Sequence, residues 1–236
     1  MTRLPRKSSV LAALASTSAP RVFSPASLQS WLAERALEIP TRTLSMALIE
    51  WTQAGVMDRI NSRVYINGRS RPRPTVDEVV SHLRPGAIVS LERALSHVGV
   101  LNKPSPIITA VVSSADTTKV GRVETDVGVF RFAALPEAMV VRPGHTLFQD
   151  AIAGDRPWMA TPEKALLDWL HLSSTPRGVT SWPLPAAYDW NIHLLDSDRL
   201  NRLATGLGME GLLLEFQGKV DLGALDPTPR RTRRPR

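Results

Sequence analysis

The chain contains no cysteine, which excludes disulfides, thiolate nucleophiles and thiolate metal sites. No apolar run approaches the roughly 20 residues of a membrane span, so no membrane partner is expected. The five histidines, at positions 82, 97, 145, 171 and 193, are scattered, and none belongs to an HExxH-type metal spacing. There is no GxSxG to form a nucleophile elbow. One stretch, Gly206-Leu207-Gly208-Met209-Glu210-Gly211, matches GxGxxG. It follows a helical pattern, whereas a dinucleotide loop needs a strand, a turn and a helix to bring free N–H groups to the phosphates. Glu163 and Asp168 stand at i, i+5 and diverge around a helix, and Lys164, four residues before Asp168, reads as half of a surface ion pair. The sequence supports no enzyme, no metal and no cofactor.

The first twenty residues, MTRLPRKSSVLAALASTSAP, have the basic start, apolar run and small residues of a signal peptide. That apolar run is short and broken into by serine, and it suits a first helix better. On this reading the protein is cytoplasmic.

What the chain does have is an uneven charge. Its 236 residues carry a formal net charge of +7. Residues 1–73 hold 11 Lys/Arg against four Asp/Glu, residues 74–226 hold 13 against 18, and residues 227–236 hold five Arg and no acid. A basic head, an acidic body and a basic tail suggest that contact with a polyanion is delegated to the ends.

The most informative stretch is 40–67, PTRTLSMALIEWTQAGVMDRINSRVYIN. Leu44, Ala47, Leu48 and Trp51 recur at i, i+3, i+4 and i+7, one face of a helix over 42–54. Arg42, Thr43, Ser45, Met46, Ile49 and Gln53 take the other face. Gly55 supplies a stop, and residues 56–60 and 63–66 are two short strands across Asn61-Ser62. Upstream, residues 7–18 form a first helix, and Val22-Phe23 form a strand that pairs with the hairpin. Ser24-Pro25 opens a helix with Leu28, Trp31 and Leu32 inward. Three helices and a hairpin in under 70 residues is the layout of a winged helix-turn-helix, whose recognition helix lies in the major groove. Gly68 to Pro74, rich in Pro and Arg, then reads as an extended basic linker over 68–75.

Beyond it the periodicity is mixed. Short helices are expected over 76–83 and 90–98, and strands over 87–89 and 107–112. A hairpin follows around Asp126 and Gly128, with weaker strand material over 148–160. Thr161-Pro162-Glu163 opens a clear helix, because Thr caps, Pro suits the first turn and Glu suits the positive end; Leu166, Leu167 and Leu170 form its apolar face. Residues 182–190 are Pro-rich and irregular, and 196–214 are helical with glycine interruptions. The expected class is α+β: a winged helix-turn-helix at 1–67, the linker, a mixed α+β domain at 76–226 and an Arg-rich tail at 227–236.

Several segments together resemble the AbiEi-type antitoxins of the AbiE abortive-infection toxin–antitoxin systems. These are ALIEWTQAGVMDRINSRVYIN, AIVSLERALSHVGVL, GRVETDVGVFRF and, most distinctively, MATPEKALLDWLHL. The resemblance runs from about Pro5 to Leu214; the Arg-rich end after Pro227 is not part of the pattern. It implies an N-terminal winged helix that represses its own operon, and a C-terminal domain that counters a nucleotidyltransferase-like toxin, functionally and in some readings by direct binding. A generic regulator with a ligand-sensing C-terminal domain is the remaining alternative.

From the residues, the implied partner is double-stranded DNA, and from the family its own promoter, read as inverted repeats. Arg42, Thr43, Ser45 and Met46 lie near the start of the exposed helix face, where base-edge contacts arise. Arg59 and Arg63 flank the hairpin turn and reach phosphate or the minor groove. Arg69, Arg71 and Arg73 track the backbone, which carries affinity but little sequence information. Arg131, Lys164 and His171 lie in family-like segments and are the candidates for an antitoxic face.

Overall fold

The structure is a computed structural model that describes residues 7–103, 105–115, 120–140, 148–149, 159–175, 182–185 and 189–221. The Arg-rich tail and most of the stretch 148–160 lie outside the described residues. The fold class is α+β.

The N-terminal unit runs α1 (Lys7–Leu14), β1 (Val22–Phe23), α2 (Pro25–Ala33), α3 (Thr41–Gln53), β2 (Met57–Arg59) and β3 (Tyr65–Asn67). Ser24 caps α2 through a reciprocal capping box with Ser27, and Pro25 takes the first turn. α3 buries Leu44, Ala47, Leu48 and Trp51, the stripe that its periodicity predicts. It ends in a Schellman arrangement: the Val56 N–H reaches the Trp51 carbonyl at 2.8 Å and the Gly55 N–H reaches that of Thr52 at 3.0 Å. Gly55 has φ of 67°, the left-handed geometry that favours glycine there. The three strands form a sheet in the order β1-β3-β2, all antiparallel. Trp31 meets expectation in part: it packs against the core but stays half-buried, with its Nε1 donating to the Ser18 carbonyl and the Arg35 guanidinium 4.0 Å over its ring.

The C-terminal part continues with a 3-10 turn (Val76–Val79), α4 (Val80–Leu83), β4 (Ile88–Val89), α5 (Leu91–His97), β5 (Ile107–Ser113), β6 (Gly121–Thr125) and β7 (Gly128–Leu135). β8 (Phe148–Gln149), β9 (Met159–Ala160), α6 (Pro162–Ser174), α7 (Ser197–Leu207) and α8 (Glu210–Asp221) complete it. Its strands form a mixed sheet in the order β6-β7-β5-β4-β9-β8. The GxGxxG match falls at the junction of α7 and α8, with Gly208 between two helices and no strand before it.

Alternation along the strands distributes side chains to two cores. Ile88, Val111 and Leu135 join α5, α6, α7 and α8 on one face. Val89, Ile108, Ala110, Val112, Phe130 and Phe132 face the other way. That second core is completed from the N-terminal unit, because Val22, Ile60, Val64 and Ile66 belong to it. The opposite face of the small sheet, Phe23, Met57 and Tyr65, packs on α1, α2 and α3. The small sheet is thus shared: one face holds the helices, the other docks on the large sheet.

The segment 68–75 is packed into this junction. Ser70 and Pro74 are buried, and a Cβ on Gly68 would stand 2.4 Å from the Val56 carbonyl oxygen. Arg21 of the N-terminal unit donates to both Glu78 carboxylate oxygens, at 2.7 and 2.9 Å, and to the Pro72 carbonyl. Burial alone would raise the Glu78 carboxyl, but the hydrogen bonds from Arg21 and Thr75 outweigh it and hold the group below its ordinary value.

Candidate nucleic-acid interface

The sequence places four candidate base-contacting residues on α3, and all four are exposed: Arg42, Thr43, Ser45 and Met46. They differ in what their side chains are free to do. The Arg42 guanidinium has no partner among the described residues. The Ser45 hydroxyl, by contrast, donates back to the Thr41 carbonyl at 2.9 Å, so its proton is already engaged within the helix. By the helical period Thr43 lies on the flank of the exposed face. Met46 and Ile49 stand out at 53% and 47% exposure.

The hairpin turn is built by Asn61, whose side-chain oxygen accepts from the Arg63 and Val64 N–H groups at 2.7 and 3.0 Å. This turn separates the two sides of the hairpin. Ile60 and Val64 point inward to the shared core, while Arg59 and Arg63 are exposed. Arg59 leans on the Asn61 carbonyl at 3.1 Å; the Arg63 side chain has no partner among the described residues.

In the segment expected to track a backbone, the three arginines separate. Arg69 is exposed with its side chain unengaged among the described residues. Arg71 donates to the Gly68 and Ser70 carbonyls at 3.0 and 2.9 Å. Arg73 pairs with Asp58 at 2.5 Å. The last two are therefore partly occupied in holding the junction, which sequence composition does not reveal. Glu50, on the flank of α3, is paired with Lys7 at 2.6 Å, so this carboxylate is locally neutralised.

Lys164 requires a correction. It is fully buried, as is Asp168, and the two form an ion pair inside the protein, not on its surface. Lys164 therefore forms no part of an exposed face. The Ser90 hydroxyl donates to the second Asp168 oxygen at 2.7 Å. Ser90 is itself fixed to β5: its N–H reaches the Thr109 carbonyl and the Thr109 hydroxyl returns to its carbonyl. The next residue, Leu91, is fully buried at φ of 59°, an unusual conformation for a bulky side chain. It turns the chain sharply from β4 into α5. The charged pair thus ties α6 to the β4–α5 junction. Glu163 is also buried, accepting from the Asp196 N–H at 3.0 Å.

Arg131 and His171, by contrast, come together. Both line a cleft of about 380 Å³ bordered by Arg122, Phe132, Leu172 and Trp182. Arg131 stacks on the Trp182 ring at 3.6 Å. Its burial lowers the guanidinium's proton affinity, and Glu92 opposes that shift. On the far side of the same stack lies a second cleft of about 310 Å³, with Glu92, Lys103 and Asp189 in its wall. Trp182, which brings the cleft together, stands in a Pro-rich stretch that shows no periodicity, so no pattern pointed to it.

Among the described residues no helix is long and apolar enough to cross a membrane. No group of three or more His, Asp or Glu among them is placed to hold a metal ion.

No protein-family model and no curated protein matches the chain. Among solved structures, it is similar to the crystal structure of the RV2827C protein from Mycobacterium tuberculosis, with a TM-score of 0.53 at 17% identity. The likeness covers 96% of this chain and 80% of that one. At this identity it is a likeness of fold.

Proposed function

We propose that the protein is a sequence-specific, double-stranded-DNA-binding repressor acting in the cytoplasm. On this reading its N-terminal unit is a winged helix and α3 is the recognition helix. The observation that carries the reading is the division of α3 into a buried stripe and an outward face led by Arg42, unpaired among the described residues, with exposed Arg59 and Arg63 in the same unit and exposed Arg69 just after it. Guanidinium groups on that face suit base edges and phosphates. The resemblance to AbiEi-type antitoxins extends the proposal: the repressed operon is the protein's own, and the C-terminal domain counters a nucleotidyltransferase-like toxin.

A second reading, binding of a toxin directly by the C-terminal domain, is favoured by the cleft that gathers Arg122, Arg131 and His171. It takes second place because Arg122 is already paired with Glu124 at 2.8 Å.

The test is fluorescence anisotropy of the whole protein on duplex from upstream of its own coding sequence and on scrambled duplex, over a salt series. A preference for the upstream duplex that survives deletion of 227–236 is the expected result. A steep salt slope with equal affinity for both duplexes would reduce the interaction to charge attraction alone and overturn the proposal.

A further inference from the structure

The outermost ridge of α3 can be read directly from its buried stripe. Opposite Leu44, Ala47, Leu48 and Trp51, the helical period places Arg42, Met46, Ile49 and Gln53, at i, i+4, i+7 and i+11. All four are exposed. The ridge therefore runs cation, apolar, apolar, amide. Its two middle members are large hydrophobic side chains on adjacent turns, 53% and 47% exposed, in the middle of the helix and not at a fraying end.

Single exposed apolar side chains are ordinary. A neighbouring pair on the ridge farthest from the core, between an arginine and a glutamine, is a pattern with a chemical counterpart. The major groove presents donors and acceptors on every base pair, but only thymine adds an apolar group there, its C5-methyl. Isoleucine forms no hydrogen bond with a base edge and methionine offers only a weak thioether acceptor, so in a groove both gain chiefly from contact with that methyl. The flanking residues fit the same surface, arginine to the guanine edge and glutamine to the adenine edge.

We infer that Met46 and Ile49 determine sequence specificity by packing on thymine methyl groups in the major groove. The inference rests on the DNA-binding reading and deepens it. Met46 and Ile49 are three residues apart, about 4.5 Å along the helix axis, against a base-pair rise of about 3.4 Å. They therefore address neighbouring base pairs, and the preferred half-site carries thymine at one or both of them. Charge selects DNA over a protein partner for this apolar pair. Arg42 lies on the same ridge with no partner among the described residues, and Arg59 and Arg63 stand exposed on the adjoining hairpin. Glu50, the one carboxylate on α3, is held by Lys7 at 2.6 Å.

The experiment begins with selection of the preferred duplex by the full-length protein from a random library. Each thymine of that duplex is then replaced singly by deoxyuridine, which removes the methyl and leaves every hydrogen-bonding group in place. Anisotropy should show about fourfold weaker binding per contacted methyl at one or two positions of each half-site and no loss elsewhere. In Met46→Ala or Ile49→Ala the corresponding uracil should cost nothing further. Both side chains are exposed, and circular dichroism checks that the variants fold. If a preferred duplex emerges but wild-type protein tolerates uracil at every position, the methyl-reading inference is overturned and DNA recognition stands. If no duplex is enriched, the sequence-specific reading itself has failed, and an apolar protein partner becomes the explanation for the ridge.

Discussion

The two parts of the chain handle charge in opposite ways. In the N-terminal unit and just past it, Arg42, Arg63 and Arg69 stand in solvent with no side-chain partner among the described residues. In the C-terminal part, Asp77, Glu163, Lys164 and Asp168 are drawn inside, each with a named partner. An exposed guanidinium contributes little to stability, so leaving it unpaired costs the fold almost nothing and keeps it available to a polyanion. A buried ion is different, because its desolvation is tolerable only while its partner remains. Substitutions in the two sets should therefore register in different measurements: folding for one, binding for the other.

The sharpest way to break that contrast is at Lys164. Replacing it with alanine strands the Asp168 carboxylate in a site from which water is excluded, and should cost about 3–5 kcal/mol, read as a shift in the urea midpoint. The double change Lys164→Met with Asp168→Leu removes both charges and should recover most of that loss. A cost for Lys164→Ala below about 1 kcal/mol would place the pair in the class of exposed ion pairs and dissolve the distinction.

The next effect lies where the two parts meet. Ile66 is in the central strand of the small sheet and in the core shared with the large one. Ile66→Ala should destabilise the protein by about 2–5 kcal/mol, and the cost measures how firmly the N-terminal unit is seated. Near-neutral stability of this variant would mean that the two parts fold independently.

The polar side of the same junction is pH-dependent. Glu78 is 3% exposed at its side chain, and its carboxyl is held below its ordinary value of 4.5, burial opposing and Arg21 and Thr75 prevailing. A carboxyl depressed in the folded state contributes stability above its unfolded value and loses it as pH falls through the folded one. Unfolding free energy should therefore decline as pH drops below about 4.5, and Glu78→Gln should flatten that decline. An unchanged acid limb in the variant would remove Glu78 from the account.

Much of this was legible in the sequence, for reasons that also explain the failures. The stripe on α3 and the Thr161 cap of α6 are local signals, set by spacing and by the chemistry of a helix end. The pairing of β1 with β3 was legible because Val22-Phe23 stands alone between helices, with a hairpin available to it. Burial of Lys164 was not, because Lys and Asp at i, i+4 look the same on a solvated helix and in a core. The difference is Ser90, a residue 78 positions away, brought in by the β4–α5 junction. The segment 68–75 misled in the same way. Its arginines and prolines suggest extended chain, but Pro74 and Ser70 are buried and Arg71 and Arg73 turn back onto neighbouring groups, contacts set by how the two sheets dock. Gathering of Arg131 with His171 around Trp182 depends equally on packing, not on spacing.

On stability, the smallest effects fall on the arginines that the comparison assigns to a partner, and here Arg42 and Arg69 separate two kinds of contact. Both side chains are exposed and unengaged among the described residues, so either alanine variant should leave folding within about 0.5 kcal/mol of the parent. Their effects on DNA should differ. On the DNA-binding reading Arg42 heads the ridge that enters the groove, where a bidentate contact to a base edge carries sequence information. Arg42→Ala should cost about 1–3 kcal/mol on the preferred duplex and relax the preference at one position. Arg69 lies past the hairpin, where only phosphate is expected within reach. Arg69→Ala should weaken preferred and random duplex alike and lower the salt slope by about one. Equal losses on both duplexes from both variants would mean that α3 contributes charge and no readout. The unpaired arginines would then be a general polyanion surface, and the N-terminal unit would need another source of specificity.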